Sequence, residues 1–121
     1  MRKQSTQLPS KMRYVAAQLN ALLHDDLWLD LAAHSNEMAT RLFEATRDIP
    51  GVEYDAAPTV NSVFPRLPAA AIRPLQDWCF FWDWNLAAHQ VRWMTAWDTT
   101  IDDVDAFAAG VRQGLGVEIA V

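Results

Sequence analysis

The sequence has 121 residues and a formal net charge of -5, with 51% hydrophobic and 21% charged residues. That length allows one domain with a sizeable core, and the composition is typical of a globular protein rather than a disordered tail. Because the phosphate backbone requires a clustered basic face, a net negative chain with only two lysines is not expected to bind nucleic acid.

Two helices in series are predicted for the first part of the chain. Apolar residues recur at helical spacing over residues 12–23, and Asp25 with Asp26 then provides a break and an N-cap. The second helix is predicted over residues 27–48, where large apolar residues repeat along one stripe. A Pro-Gly pair ends it.

Two β-hairpins are predicted next, with a helix between them. The first hairpin pairs residues 52–56 with 60–66, and the second pairs the aromatic-rich segment 79–84 with the alternating segment 91–97. The helix between them covers residues 68–75, and an internal proline is expected to kink or shorten it.

The final helix is predicted over residues 101–115, because Thr99 and Thr100 are good N-caps and Asp102 and Asp103 follow in the first turn. The predicted order is therefore ααββαββα. This order favours an α+β two-layer sandwich, with about four largely antiparallel strands, helices on one sheet face and the N-terminal helices preceding it. The other face must be covered by something else.

No residue pattern indicates a catalytic, metal or cofactor site within this chain. The spacing of His24, His34 and His89 matches no zinc motif, and no glycine-rich loop precedes a helix. Cys79 begins an apolar segment and is predicted to be a small buried thiol rather than a nucleophile. One cysteine, no apolar run of ~20 residues and no signal-peptide pattern together predict a cytoplasmic protein without a membrane partner.

The second hairpin concentrates aromatic residues around one arginine. Such residues are more often core and interface than a ligand box. Side chains alternate across a strand, so Val91 and Trp93 point to one face while Arg92 and Met94 point to the other. A mid-strand arginine needs a partner, which is either an internal carboxylate or the carboxylate of a ligand. The aromatic residues are Trp78, Phe80, Phe81, Trp82, Trp84, Trp93 and Trp97.

Three segments resemble the C-terminal domain of low-specificity threonine aldolases, in the same order and at similar spacing. They read DLWLDLAAHSNEMATRLFEA at residues 26–45, PGVEYDAAPTVNSVFPRLP at 50–68 and VRWMTAWDTTIDDVDAF at 91–107. The resemblance extends over about residues 11–114, nearly the whole chain. Its more specific elements are His34 with Asn36, the turn of Gly51, Val52 and Glu53, the run from Asn61 to Phe64, and Arg92 followed by Thr95 and Asp98.

The resemblance implies the aspartate-aminotransferase fold type, in which a large domain carries pyridoxal phosphate on a lysine and a small domain closes the site. The implied reaction cleaves a β-hydroxy-α-amino acid such as threonine to glycine and an aldehyde. Residues 1–121 then form a single small domain, and the domain with the cofactor lysine is absent, since Lys3 and Lys11 match the segment connecting the two domains. By the same resemblance, Arg92 binds the carboxylate of the amino-acid substrate.

Other matches carry less functional weight. His34, Asn36 and Asn61 also fit family positions, but a helix histidine and a strand asparagine are expected to make structural hydrogen bonds. Trp93 and Trp97 replace smaller residues or a histidine of the family, so no substrate preference follows.

Three functional hypotheses follow. In the first, the chain is part of a lyase that is inactive alone and requires a pyridoxal-phosphate-binding large domain on the same or another chain. In the second, it is a non-catalytic interaction module derived from that family, which assembles with itself as a homo-oligomer, or with a partner, through its open sheet face and its long N-terminal helices. In the third, it senses a carboxylate or amino acid through Arg92.

Overall fold

The computed structural model describes residues 11–117. The described residues fall into two compact units, 11–31 and 32–117. The boundary between them lies inside the second helix. The candidate site lies entirely in the larger unit.

The smaller unit confirms the predicted helix break. Helix α1 (Met12–Leu23) is followed by a single 3-10 turn (His24–Asp26), and helix α2 (Leu27–Thr46) then begins. Asp25 and Asp26 have φ angles of 52° and 59°. A short polar side chain tolerates this left-handed region better than most residues, so the acidic pair can interrupt the helix at small cost.

The larger unit is an α+β fold with a three-stranded antiparallel sheet in the order β1-β3-β2. The predicted second hairpin is confirmed, because β2 and β3 are antiparallel neighbours joined by one 3-10 turn. After α2, the elements are β1 (Ser62–Val63), α3 (Ala69–Trp78), β2 (Trp82–Asn85), β3 (Gln90–Met94) and α4 (Ile101–Gly114).

The structure does not confirm the predicted fourth strand at residues 52–56. Within this segment only Glu53 forms a β-bridge, which is an isolated antiparallel bridge to Arg66. The N–H of Val52 instead donates to the carbonyl of Ile49 at 3.0 Å, which closes a turn. If the ladder continued from this bridge toward the start of the segment, the next hydrogen-bonded pair would be Gly51 with Pro68, and proline has no N–H to donate.

Helix α3 is longer than predicted. Pro74 lies inside α3, yet α3 continues to Trp78, and the N–H of Cys79 still donates to the carbonyl of Leu75 at 2.8 Å. The proline was predicted to kink or shorten the helix, and the shortening was wrong, because α3 extends three residues beyond its predicted end. A proline removes one N–H donor, and the exposed position of Pro74 leaves the orphaned carbonyl of the preceding turn accessible to water.

One face of the sheet forms a core with the three helices. Val91 and Trp93 of β3 are 0% and 2% exposed, and the inward face of α4 contributes Val104, Ala108 and Val111 at helical spacing. Of the apolar stripe predicted for α2, Met38 and Leu42 are buried, whereas Leu27 is 40% exposed, and the helix ends at Thr46 rather than at residue 48. Helix α3 adds one buried leucine. The other core members are Met38, Ala39, Leu42, Ile49, Val52, Val63, Leu67, Leu75 and Phe81.

Helix α4 begins with the predicted cap, and Thr100 is the residue that provides it. The Thr100 hydroxyl accepts the N–H of Asp103 at 3.1 Å, while the Asp103 carboxylate accepts the N–H of Thr100 at 2.9 Å. The hydroxyl of Thr100 also donates to that carboxylate, and these bonds lower the pKa of Asp103 below its ordinary value. The reciprocal bonds form a capping box.

We expect Thr100→Ala to lower the free energy of unfolding by about 1 kcal/mol, because it removes the N-cap acceptor. Urea denaturation monitored by tryptophan fluorescence measures this loss. Thr59→Ala, an exposed loop threonine, is the control and should be neutral.

The same variant should change the dependence of stability on pH. Since the folded pKa of Asp103 is lowered, its stabilising contribution is present above the unfolded pKa and is lost as the pH falls through the folded pKa. Thr100→Ala should therefore flatten the acid side of the stability profile. An unchanged profile and an unchanged carboxyl titration of Asp103 would contradict this assignment.

Candidate functional site

The sheet face opposite the core carries the candidate site. The register places Trp82 opposite Arg92, and Ser62 opposite Met94, on this face. Trp82, Trp84 and Met94 are 68%, 58% and 61% exposed, whereas the alternating residues of β3 are buried. The alternation predicted for β3 is confirmed, and no described residue between 11 and 117 covers Trp82, Trp84 or Met94 on this face.

Arg92 is half-buried at the centre of this face. Its Nε donates to the Oγ of the buried Ser62 at 3.3 Å, and Nη2 donates to the sulfur of Met94 at 3.0 Å. Its Cζ lies 5.9 Å from the ring centroid of Trp84, within cation–π range. None of these three partners carries a negative charge.

The other arginines of the larger unit have ordinary internal partners. Arg112 donates to the carbonyl of Ala45 at 2.8 Å. Among residues 11–117, no ion pair includes Arg92, so the internal carboxylate considered from the sequence does not occur there. The arginines with carboxylate partners pair as Arg41 with Asp105, Arg47 with Glu44, Arg66 with Asp55, and Arg73 with Asp77.

Three further residues, His34, Asn36 and Asn61, were matched to family positions in the sequence. Two of them bond to backbone carbonyls of the segment that follows β3. The Nε2 of His34 lies 2.8 Å from the carbonyl oxygen of Thr99, and the Nδ2 of Asn61 donates to the carbonyl of Thr95 at 2.8 Å. Asn36 lies on the exposed side of α2. These contacts support the structural roles expected for His34 and Asn61, and they do not bring either side chain into contact with Arg92.

The aromatic cluster divides between the core and the surface. Phe81 and Trp93 are buried, and the Trp93 ring lies edge-on to Phe81 and Phe107 with centroids 6.1 and 5.0 Å apart. The Trp78 ring stacks on the ring of Phe107, with centroids 5.7 Å apart. The remaining aromatic residues of the cluster are exposed. The core part of the interpretation is confirmed for Phe81 and Trp93, and the interface part stays a prediction.

The prediction that Cys79 is buried was wrong, because its thiol is exposed. Strand β2 begins three residues later than predicted, at Trp82, and the Cys79 amide instead continues the hydrogen bonding of α3. The residue lines an open cavity of about 370 Å³ together with Phe80, Trp93 and Phe107. Its position at the end of a helix, rather than inside a strand, keeps the sulfur at the surface.

We expect the folded chain to react with Ellman's reagent without denaturant, releasing one equivalent of thiolate per chain. Absorbance at the wavelength of the released chromophore measures the reaction. Cys79→Ser is the control and should release none. Reaction only after addition of guanidinium would show that the thiol is buried.

Proteins bind a metal ion through several side chains together, and they bind pyridoxal phosphate covalently through a lysine. No group of three or more histidine, cysteine, aspartate or glutamate side chains within residues 11–117 is arranged to hold a metal ion. The larger unit contains no lysine, the residue that would bind the aldehyde of pyridoxal phosphate. Within residues 11–117, no helix has the length and apolar character needed to cross a membrane.

The fold defines the larger unit as an α+β domain with an open three-stranded sheet, and the comparisons identify its homologues as low-specificity L-threonine aldolases. The chain is 38% identical to the enzyme of that name from Pseudomonas aeruginosa over 116 residues, 94% of this chain. It is 38% identical to the one from a Pseudomonas species over 112 residues, 91% of this chain. The resemblance recognised in the sequence is confirmed.

The relatives are much longer proteins. The chain spans about a third of their length, 33% and 32%, and aligns with the small C-terminal part. A solved threonine aldolase from Leishmania major superposes with a TM-score of 0.66 and 25% identity, covering 79% of this chain and 29% of that structure. No family model matches the chain.

Proposed function

We propose that this chain is the C-terminal domain of a threonine-aldolase-like lyase that depends on pyridoxal phosphate. Joined to a large domain, it takes part in cleaving β-hydroxy-α-amino acids to glycine and an aldehyde. The observation that carries the proposal is the uncovered sheet face, where Arg92 has no carboxylate partner among the described residues, in a chain homologous to part of threonine aldolases.

The proposed role of Arg92 is to bind and orient the substrate carboxylate. A guanidinium pairs with a carboxylate through two parallel N–H bonds, which fix the plane of the carboxylate as well as its position. Holding this end of the amino acid sets the direction of the bond to be cleaved relative to the catalytic groups of the other domain. When bound to that domain, pyridoxal phosphate supplies the electron sink for the cleavage.

The chain alone is proposed to be inactive. Its two lysines, Lys3 and Lys11, lie outside the larger unit that carries Arg92. A large domain, on the same or a separate chain, would provide the cofactor lysine and cover the uncovered face. The partner in this proposal is therefore a pyridoxal-phosphate-binding domain, and the ligand is an amino acid.

Complementation tests the proposal. The N-terminal two thirds of the Pseudomonas aeruginosa relative is expressed alone and together with this chain, and acetaldehyde release from threonine is measured by a coupled dehydrogenase assay. We expect activity only from the combination. Joining this chain to that segment as a fusion tests the same pairing without a requirement for assembly. A soluble fusion that binds the cofactor but releases no aldehyde would overturn the proposed function.

The second candidate function is assembly with further copies of the chain. It is favoured by exposed apolar residues on the sheet face and, separately, on α1, where Val15, Leu19 and Leu22 are 48%, 54% and 40% exposed. Exposed apolar patches commonly mark interfaces. Light scattering across a concentration series measures the assembly. A monomer at every concentration would contradict this second candidate and leave the lyase proposal standing.

A further inference from the structure

Arg92 is held at two separate points of its side chain. The buried hydroxyl of Ser62 accepts the Nε proton at 3.3 Å, and the ring of Trp84 lies 5.9 Å from the Cζ. Ser62 belongs to β1 and Trp84 to β2, so the two neighbouring strands of β3 each provide one contact. The Trp84 ring is held in turn by Phe64, because the two rings pack together with centroids 4.9 Å apart.

The two contacts leave one edge of the guanidinium available. A guanidinium has five N–H donors, and Ser62 uses the one on Nε. Nη2 uses one more proton on the sulfur of the exposed Met94, a weak acceptor that a carboxylate readily displaces. The end-on edge formed by Nη1 and Nη2 thus remains able to bind both oxygens of a carboxylate.

We propose that Ser62 and Trp84 are positioning residues for Arg92, which preorganise its guanidinium to bind a carboxylate end-on through Nη1 and Nη2. This inference rests on the proposed function of Arg92. A free arginine side chain loses much rotamer freedom when it binds a ligand, and contacts that already hold it move that cost from binding to folding. Ser62 and Trp84 act through Arg92 and need not touch the substrate.

The orientation of Arg92 can be measured without a ligand. The Nε–H resonance of Arg92 is identified in a nitrogen–proton spectrum of the full chain by its loss in Arg92→Lys. The Trp84 ring should shift the proton resonances of Arg92 through its ring current, so Trp84→Leu should move them toward random-coil positions and Trp84→Phe should restore part of the shift. Ser62→Ala should speed exchange of the Nε proton with water. Trp97→Leu, an exposed tryptophan outside the sheet, is the matched control and should change neither property.

Carboxylate binding is then measured by titrating the same resonance with threonine and glycine, with threoninamide as the uncharged comparison. Trp84→Leu and Ser62→Ala should each weaken threonine binding by about two- to fivefold, the effect of one partly exposed cation–π contact or one hydrogen bond. Arg92→Gln, followed by tryptophan fluorescence, should weaken it by more than about tenfold.

The outcomes separate the two proposals. If Arg92→Gln abolishes binding but Trp84→Leu and Ser62→Ala bind like the wild type, the positioning role is wrong and the role of Arg92 stands. If threonine and threoninamide bind equally, or neither binds, the carboxylate site itself is wrong. Unshifted Arg92 resonances in Trp84→Leu would overturn the positioning role whatever the titrations show.

Discussion

Arg92→Gln is expected to lower kcat/KM for threonine by about 30- to 150-fold in the fusion with the large domain. Glutamine keeps a polar side chain but is shorter than arginine and lacks both the charge and the two parallel donors. Loss of one member of a hydrogen-bonded charge pair costs about 2–5 kcal/mol, and the half-buried position of Arg92 favours about 2–3 kcal/mol. Steady-state kinetics of aldehyde release measures the effect. Because the carboxylate is bound before and during the reaction, most of the change should appear in KM.

Arg73→Gln provides the matched control for this prediction. It makes the same change of charge on α3, where Arg73 is mostly exposed and pairs with Asp77 one helical turn away. Exposed pairs of this kind contribute little to stability, so kcat/KM should stay within about twofold of the wild type. Equal kinetic effects of the two variants would show that net charge, rather than a carboxylate contact, explains the loss.

Trp93→Ala is expected to lower the free energy of unfolding by about 3–5 kcal/mol, the cost of deleting a large buried aromatic side chain. Trp93 is 2% exposed and contacts the rings of Phe81 and Phe107. A loss of that size is a large fraction of the total stability of an ordinary domain, about 5–15 kcal/mol. Urea denaturation followed by circular dichroism measures it.

A conservative change at the same position gives a sharper test. The Nε1 of Trp93 is buried and has no hydrogen-bond partner among the described residues, which costs free energy in the folded state. Trp93→Phe removes this unsatisfied donor while keeping an aromatic ring. It should therefore lower the free energy of unfolding much less than Trp93→Ala does. Trp97→Ala, at a 63% exposed position, should change stability by less than about 0.5 kcal/mol. Similar losses for the two alanine variants would contradict the core assignment of Trp93.

These two sets of variants separate binding from folding on one strand. Arg92 and Trp93 are neighbours in β3, but their side chains lie on opposite faces of the sheet. Arg92→Gln should therefore leave the free energy of unfolding nearly unchanged while it weakens substrate binding. Trp93→Ala should lower the free energy of unfolding but leave substrate binding nearly unchanged, at temperatures where the variant remains folded.

Local features of the sequence were sufficient to predict α1, the start of α2, the final cap and the alternation of β3, but not the length of α3. Helix α1 has the predicted bounds, α2 begins at the predicted residue, and Thr100 with Asp103 forms the capping box expected from their spacing. These features depend on side-chain periodicity and on bonds between residues a few positions apart. The family was also recognisable from segments of the sequence, because its matches follow one another in order along the chain.

Two predictions made from composition failed because the backbone at those positions forms short-range hydrogen bonds instead of a strand ladder. The segment at 52–56 was predicted as a strand from its composition, but a turn occupies its first amide, and only Glu53 forms a bridge. Cys79 was assigned to a buried strand, yet its amide continues the hydrogen bonding of α3 and its thiol is exposed. In both segments the composition suited a strand, but the backbone hydrogen bonds formed there belong to a turn and to the end of a helix.

Arg92 shows most directly which features follow from the sequence and which are decided by the tertiary structure. Its mid-strand position and its need for a partner follow from the sequence, because alternation places it opposite Trp93 and an unpaired guanidinium is costly to bury. Its contacts with Ser62 and Trp84 arise only because β1 and β2 both pair with β3, which brings together residues 30 and 8 positions away along the chain. Sequence spacing alone contains no information about that strand order, so the arrangement around the guanidinium could be seen only in the folded structure.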